Sequence, residues 1–144
     1  MSEPKPKEQI ETVANVLNDL ALTSTPHLGL DLDGVLDESP IFFRLLTAIW
    51  PGKVIIVTFR SDRAKAEADL ETLGIRYDEL ILVESFGQKA EVIAEKGILV
   101  YIDDQPEALR DIPPTVSAML MRNGGNFDID EKLWMMSERT GKLV

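Results

Sequence analysis

Three features of the 144-residue sequence predict an α/β fold, a three-layer α/β/α sandwich around a mostly parallel sheet. Short apolar runs recur at the spacing of strand–helix units. The segments between them carry helical periodicity and helix-end residues. The runs are continuously apolar rather than alternating, so the strands are buried on both faces, which is the signature of a parallel sheet covered by helices on each side.

Residues 1–7 are rich in Pro and Lys and read as a frayed start. From Glu8 to Leu22 the apolar positions Ile10, Val13, Val16, Leu17 and Leu20 follow helical spacing, so residues 1–25 are expected to form an extension bearing one amphipathic helix. Thr23-Ser24-Thr25-Pro26 ends it, and residues 26–144 form the main domain. His27–Asp31 reads as a strand, Ile41–Trp50 as a helix and Pro51-Gly52 as a turn. Val54–Val57 is a β-branched strand. Ser61 or Asp62 caps a helix that runs to Leu73 and is closed by Gly74. Leu80–Val83 is a third strand, Gln88–Lys96 a helix stopped by Gly97, and Ile98–Ile102 a fourth strand. A short helix over Gln105–Asp111 and a strand over Val116–Leu120 follow. The tail, beginning with Asn123-Gly124-Gly125-Asn126, is turn-rich and then weakly helical.

Composition narrows the function. With 44% hydrophobic and 28% charged residues the chain is an ordinary globular one, and a domain of this size buries about 68–70% of its unfolded surface. It contains no cysteine, which excludes disulfides, thiolate zinc sites and cysteine nucleophiles. The longest apolar run, Ile98–Ile102, is far too short to span a membrane, and the first residues carry no apolar leader, so a cytoplasmic location is expected. A net charge of −10 disfavours long polynucleotides and anionic membranes as partners. A small phosphorylated ligand remains compatible where cations sit locally.

Right-handed crossovers make all strands of such a sheet point one way, and ligands bind at their carboxyl edge. There the sequence places Asp31-Leu32-Asp33-Gly34 after the first strand, Thr58-Phe59-Arg60 after the second, Lys89 at the start of the helix after the third, and Asp103-Asp104 after the fourth. Singly, each has a plain reading: Asp-x-Asp-Gly is turn chemistry, a strand-end Thr bonds its own backbone, Asp103-Asp104 caps a helix, and Lys89 is solvated. Together they do not. Two like charges 4 Å apart at an effective dielectric of 20 repel by about 4 kcal/mol. A divalent cation with oxygen ligands, Mg²⁺ above all, removes that repulsion, and carboxylates with a hydroxyl, an ammonium and a metal suit a phosphoryl group in transfer.

This ordered set, from about His27 to Leu120, resembles the four motifs of the haloacid dehalogenase (HAD) superfamily. The resemblance implies a HAD-like (Rossmann-like) domain and a phosphatase. It implies that Asp31 is the nucleophile forming an aspartyl-phosphate and that Asp33 is the general acid and base. Thr58 and Lys89 would hold the phosphoryl oxygens, and Asp31, the backbone carbonyl of Asp33, and Asp103 would bind Mg²⁺ with Asp104 in support. Val35 departs from the more usual Thr of that pattern. Thr58-Phe59-Arg60 and the stretch through Tyr77-Asp78-Glu79-Leu80 resemble the phosphatase domain of polynucleotide kinase and nucleotidase-like members, which implies a nucleotide or nucleic-acid-end phosphate as substrate.

Only 27 positions separate Asp31 from Thr58 and 31 separate Thr58 from Lys89, so no cap domain fits in either interval. Such an open site needs a macromolecular substrate, a neighbour in a homo-oligomer, or the terminal extensions to exclude water. Trp134, Met135 and Met136 either form such a lid or pack a last helix on the core. Arg60 is placed to meet a second anionic group of the substrate, or else forms a surface ion pair. His27 reads as structural. Two non-enzymatic alternatives stand beside the phosphatase: a phospho-accepting signalling module of receiver type, and a module that only binds phosphate. The acidic pair following the Lys, and Glu84 after the third strand, oppose the receiver reading. Asp33 opposes the binding one.

Overall fold

The computed structural model describes residues 26–136, with Lys7, Glu11 and Asn15 as isolated positions before them. Apart from Glu11 and Asn15, which are helical and exposed, the helix expected over 8–22 lies outside the described residues. The sandwich is present. Five parallel strands, β1 (His27–Leu30), β2 (Val54–Thr58), β3 (Glu79–Leu82), β4 (Ile98–Asp103) and β5 (Ser117–Leu120), lie in the order β3-β2-β1-β4-β5. Four helices join them: α1 (Pro40–Ile49), α2 (Arg63–Leu73), α3 (Phe86–Glu95) and α4 (Pro106–Arg110).

The two-residue period of the strands sorts the core into two layers. Leu28, Leu30, Val54, Ile56, Leu80 and Ile102 face one way and pack on Phe43 of α1 and on Ala66 and Leu70 of α2. Ile55, Val57 and Tyr101 face the other way, onto Ile93 of α3 with Leu109 of α4 beside them, and Ile98 joins them across the register shift at the start of β4. This explains why β2 shows no alternation in its sequence: all five of its residues are buried.

Helix ends follow local chemistry. The Asp62 carboxylate accepts from the Lys65 N–H at 3.0 Å and starts α2, while Gly74 closes it in the left-handed region at φ 73°. Ser85 caps α3 through the Gln88 N–H at 3.0 Å. Nδ1 of His27 accepts from the Lys53 N–H at 3.2 Å, a structural bond as expected.

One element differs. The tail read as weakly helical forms instead a two-stranded antiparallel hairpin, β6 (Phe127–Asp128) with β7 (Leu133–Trp134). Trp134 therefore packs no terminal helix among the described residues. Its ring meets Phe127 edge-on, with centroids 5.1 Å apart, and this cross-strand aromatic pair outweighs a weak helical preference. No helix among the described residues is long and apolar enough to cross a membrane.

The strand order sets the place of the site. From β1 the chain winds outward through β2 and β3, then returns to the other side of β1 as β4 and continues to β5. The reversal opens a crevice at the carboxyl ends of β1 and β4, where ligands of such sheets bind.

Candidate functional site

Asp31 leaves β1 with its N–H bonded to the carbonyl of Ile102 at 3.0 Å, which seats it beside the end of β4. A wide turn over Leu32–Leu36 follows, with Gly34 at φ 78°. Glycine is needed there twice over. The left-handed backbone disfavours a side chain, and a Cβ would collide with Oδ2 of Asp104 and with the Asn123 amide.

Beneath this turn lies a buried ion-pair network. Lys89, in the first turn of α3, is fully buried, and its Nζ lies 2.7 Å from Oδ2 of Asp103 and 3.4 Å from Oδ1 of Asp31. The same Asp103 oxygen accepts from the Tyr101 hydroxyl at 2.6 Å, while Oδ1 accepts from the Gln105 N–H at 2.9 Å. The Phe59 ring closes the other side of the ammonium, 4.5 Å from centroid to Nζ. Asp31, Asp103 and Asp104 each bring one carboxylate oxygen within 4.8 Å of the other two.

The protonation equilibria record the crowding. Burial, and then the Asp103 charge, push the Asp31 carboxyl well above its ordinary value, against the pull of Lys89. Asp104 is raised, by burial first and by the Asp103 charge as well. Burial alone would lower Lys89, but Asp31 and Asp103 outweigh it and hold the ammonium protonated. Tyr101 is raised by burial and by Asp103, so its hydroxyl stays a donor. Two carboxylates share one ammonium, and a third, that of Asp104, adjoins them. The donor set is hard oxygen, and what it lacks is positive charge; these residues fit a divalent ion such as Mg²⁺.

Above the network opens a cleft of about 510 Å³ lined by Asp31, Asp33, Gly34, Glu38, Thr58, Phe59, Asp104, Gln105 and the Asn123–Gly125 loop. Thr58, at the end of β2, is buried, and its Oγ1 accepts from the Arg60 N–H at 3.2 Å. Lys89 does not line the cleft. It braces Asp31 and Asp103 from below, a place that differs from the direct phosphoryl contact implied for it.

Asp33 and Arg60 pair with each other. The Asp33 carboxylate stands outside the acidic cluster, with its two oxygens bonded to Nε and Nη2 of Arg60 at 2.8 and 2.7 Å. The carboxylate set is thus Asp31, Asp103 and Asp104, the contact expected of Asp33 being its backbone carbonyl. Of the two readings given to Arg60, a contact to a second substrate anion or an ion pair, it forms the ion pair here, turning its fork to Asp33 and extending Nη1 to Asp69 on α2. The nearest carboxylates satisfy the guanidinium first.

Four site residues were not singled out in the sequence: Phe59, Tyr101, Asn123 and Asn126. The Asn123 amide donates to Oδ2 of Asp104 at 3.0 Å and to the Gly34 carbonyl at 2.9 Å. The Asn126 amide donates to the Asp104 carbonyl at 2.6 Å and the Met121 carbonyl at 2.8 Å. The loop after β5 thus completes the edge already formed by the first four strands. Each connection from β1 to β3 holds a single helix of the sandwich, so neither connection carries a cap among the described residues.

No family model matches the chain, and no curated protein matches it. A solved structure described as a universal stress protein in complex with cAMP is similar over 68% of this chain and 98% of its own, at 12% identity and a TM-score of 0.44. The haloacid dehalogenase kinship read from the motif order is corrected accordingly: no family model and no curated protein supports it. What remains is the geometry of the site.

Proposed function

We propose that the protein is a phosphatase that requires Mg²⁺ and hydrolyses a phosphomonoester through a phosphorylated Asp31. The observation that carries this reading is the buried Lys89 shared by Asp31 and Asp103, with Asp104 adjoining, at the crevice of the sheet. A network of that kind costs stability unless further positive charge joins it.

Asp31, Asp103 and Asp104 are the residues that would hold the ion, which when bound neutralises charge on the carboxylates and on a phosphoryl group beside them. In the first transfer an Asp31 oxygen bonds phosphorus as the ester oxygen–phosphorus bond breaks, and Asp33 gives its proton to the leaving oxygen. In the second, a water oxygen bonds phosphorus, the Asp31–phosphorus bond breaks, and Asp33 takes the water proton. Phosphate leaves and both carboxyls are restored. Thr58 and the backbone around it receive the phosphoryl oxygens. Phe59, packed edge-on against Phe86 at 5.2 Å, gives the cleft wall an aromatic face that favours a nucleotide or nucleic-acid-end phosphate. The reaction is assigned to the cytoplasm, where such esters and free Mg²⁺ meet.

A panel of phosphate esters assayed with and without Mg²⁺, beside Asp31→Asn, tests the reading. Turnover that needs the metal and disappears in the variant is expected. No metal-dependent turnover, or full activity in Asp31→Asn, overturns it. The pairing of Asp33 with Arg60 favours a second reading, a non-catalytic module that accepts or binds phosphate. A stable phosphoryl-Asp31 without turnover would select that one.

A further inference from the structure

We propose that the segment Glu8–Leu22 docks as a helix along the outer flank of α1, covering the exposed Ile41, Phe42 and Leu45 and the neighbouring Met119 of β5. The contact is independent of the reaction proposed for the cleft. α1 is apolar on two sides. Phe43 and Thr47 enter the core, while Ile41, Phe42 and Leu45 stand 71%, 57% and 63% exposed. Nε of Arg44 donates to the Leu73 carbonyl at 3.0 Å, which fixes the side of α1 that faces α2. At about 100° per residue, Phe42, Leu45 and Ile49 turn away from that side, toward β4 and β5. This direction is open. α3 and α4 pack on the opposite face of the sheet, and Met119, the register partner of Ile102 and so on the same face as it, is 51% exposed. A helix flank and a strip of sheet that are both apolar and exposed form a surface that calls for a partner.

The chain itself holds a segment of the right pattern on the right tether. Ile10, Val13, Val16, Leu17 and Leu20 occupy an arc of about 120° on a helix of 3.6 residues per turn. Lys7, Glu11 and Asn15 are helical and exposed, and they fall on the opposite arc. At 1.5 Å per residue the segment is about 22 Å long, sufficient to run the whole of α1. It joins the fold at Pro26, whose carbonyl accepts from Nε1 of Trp50 at 2.6 Å, at the end of α1. Thr23-Ser24-Thr25 spans at most about 10 Å, and packed helices lie about 8–10 Å apart, so the tether holds Leu22 near the Ile49 end of α1. A tether that short gives an effective concentration in the millimolar range, which favours this segment over a second copy of the chain. Because the segment ends where β1 begins, it runs parallel to α1, with Leu17 opposite Leu45 and Val13 opposite Phe42.

The chain has no cysteine, so an introduced pair reports on this contact alone. In the full chain carrying Leu17→Cys and Leu45→Cys, mild oxidation forms a disulfide within one chain, at a rate independent of protein concentration. The matched pair Asn15→Cys and Leu45→Cys, whose first member lies on the exposed arc, forms it about tenfold more slowly or less, since Cα atoms more than about 7 Å apart are not bridged without backbone movement. Carbene footprinting of the unsubstituted chain depends on no variant folding. Phe42, Leu45 and Met119 are labelled weakly there, and several-fold more strongly in Leu17→Asp/Leu20→Asp. Equal rates for the two cysteine pairs, or heavy labelling of Phe42 and Leu45 in the unsubstituted chain, overturns the inference. Disulfides that join two chains, at a rate rising with concentration, assign the face to a second copy and overturn it as well.

Discussion

Lys89 and Asp103 meet under the floor of the cleft, Nζ to Oδ2 at 2.7 Å, with both side chains completely buried. A pair so placed gains from its Coulomb attraction but has lost the hydration of both ions, so removing one partner does more harm than the pair's net worth. Lys89→Met leaves Asp103 and Asp31 without their counter-charge. A loss of about 3–5 kcal/mol in unfolding free energy is expected from such a vacancy, read by urea titration. An unchanged midpoint would show that the acids had already been neutralised by protonation.

The raised Asp31 carboxyl makes stability depend on pH in a defined direction. Its folded value lies above the unfolded 3.8, so the native state binds the extra proton between the two. Stability is therefore greatest below 3.8 and declines as pH climbs through the folded value, above which the whole penalty applies. Asp104 adds a shift of the same sign. In chelator, the melting temperature contributed by this cluster should fall on going from mildly acidic to neutral pH. Millimolar Mg²⁺ should flatten that fall in the native chain, and Asp31→Asn/Asp104→Asn should show neither the fall nor a response to Mg²⁺. A slope that Mg²⁺ leaves untouched would sever the acids from cation binding.

Gly34 is constrained by its φ of 78° and by Asp104 and Asn123, which occupy the space a Cβ needs. Gly34→Ala is expected to cost about 1–3 kcal/mol through backbone strain alone. It should also displace the Asp104 carboxylate and weaken Mg²⁺ binding, measured by calorimetry on the folded variant. Native affinity in Gly34→Ala would mean that the turn opens without disturbing Asp104.

Asn123 orients Asp104 as outer partners orient the ligands of metal sites. Its replacement by Ala should reduce Mg²⁺ affinity by about 10- to 100-fold while leaving the Asp31–Lys89–Asp103 network in place. A reduction confined to thermal stability would assign Asn123 to loop packing only.

Much of the frame was legible because it is written in local chemistry. Asp62 and Gly74 bracket α2, and Gly97 follows α3, as capping rules require. The continuous apolar runs of β2 and β4 announced a sheet covered on both faces. Asp31, Thr58, Asp103 and Asp104 were traceable because strands of one direction bring their ends to one edge. What escaped depends on side-chain direction. Tyr101 sits inside an apolar run and reads as core, though its place two residues before Asp103 puts both on one face of β4. Asn123 follows β5 at the same edge as the acids, a signal hidden because Asn-Gly-Gly-Asn is ordinary turn composition. The Arg60–Asp33 fork joins loops 27 positions apart, and nothing in either segment fixes which carboxylate a long cation will choose. The hairpin was missed because two-residue strands leave almost no periodicity to read.

The amide of Asn126 clasps the main chain of Asp104 just before β6 begins. The last described stretch is thus mechanically in series with one of the three acids rather than hung from the edge of the sheet. A polypeptide cut after Leu120 would retain every strand of the sheet and all three acids, yet leave one of them unmoored. Anything that grips or tugs the hairpin has a handle on the crevice.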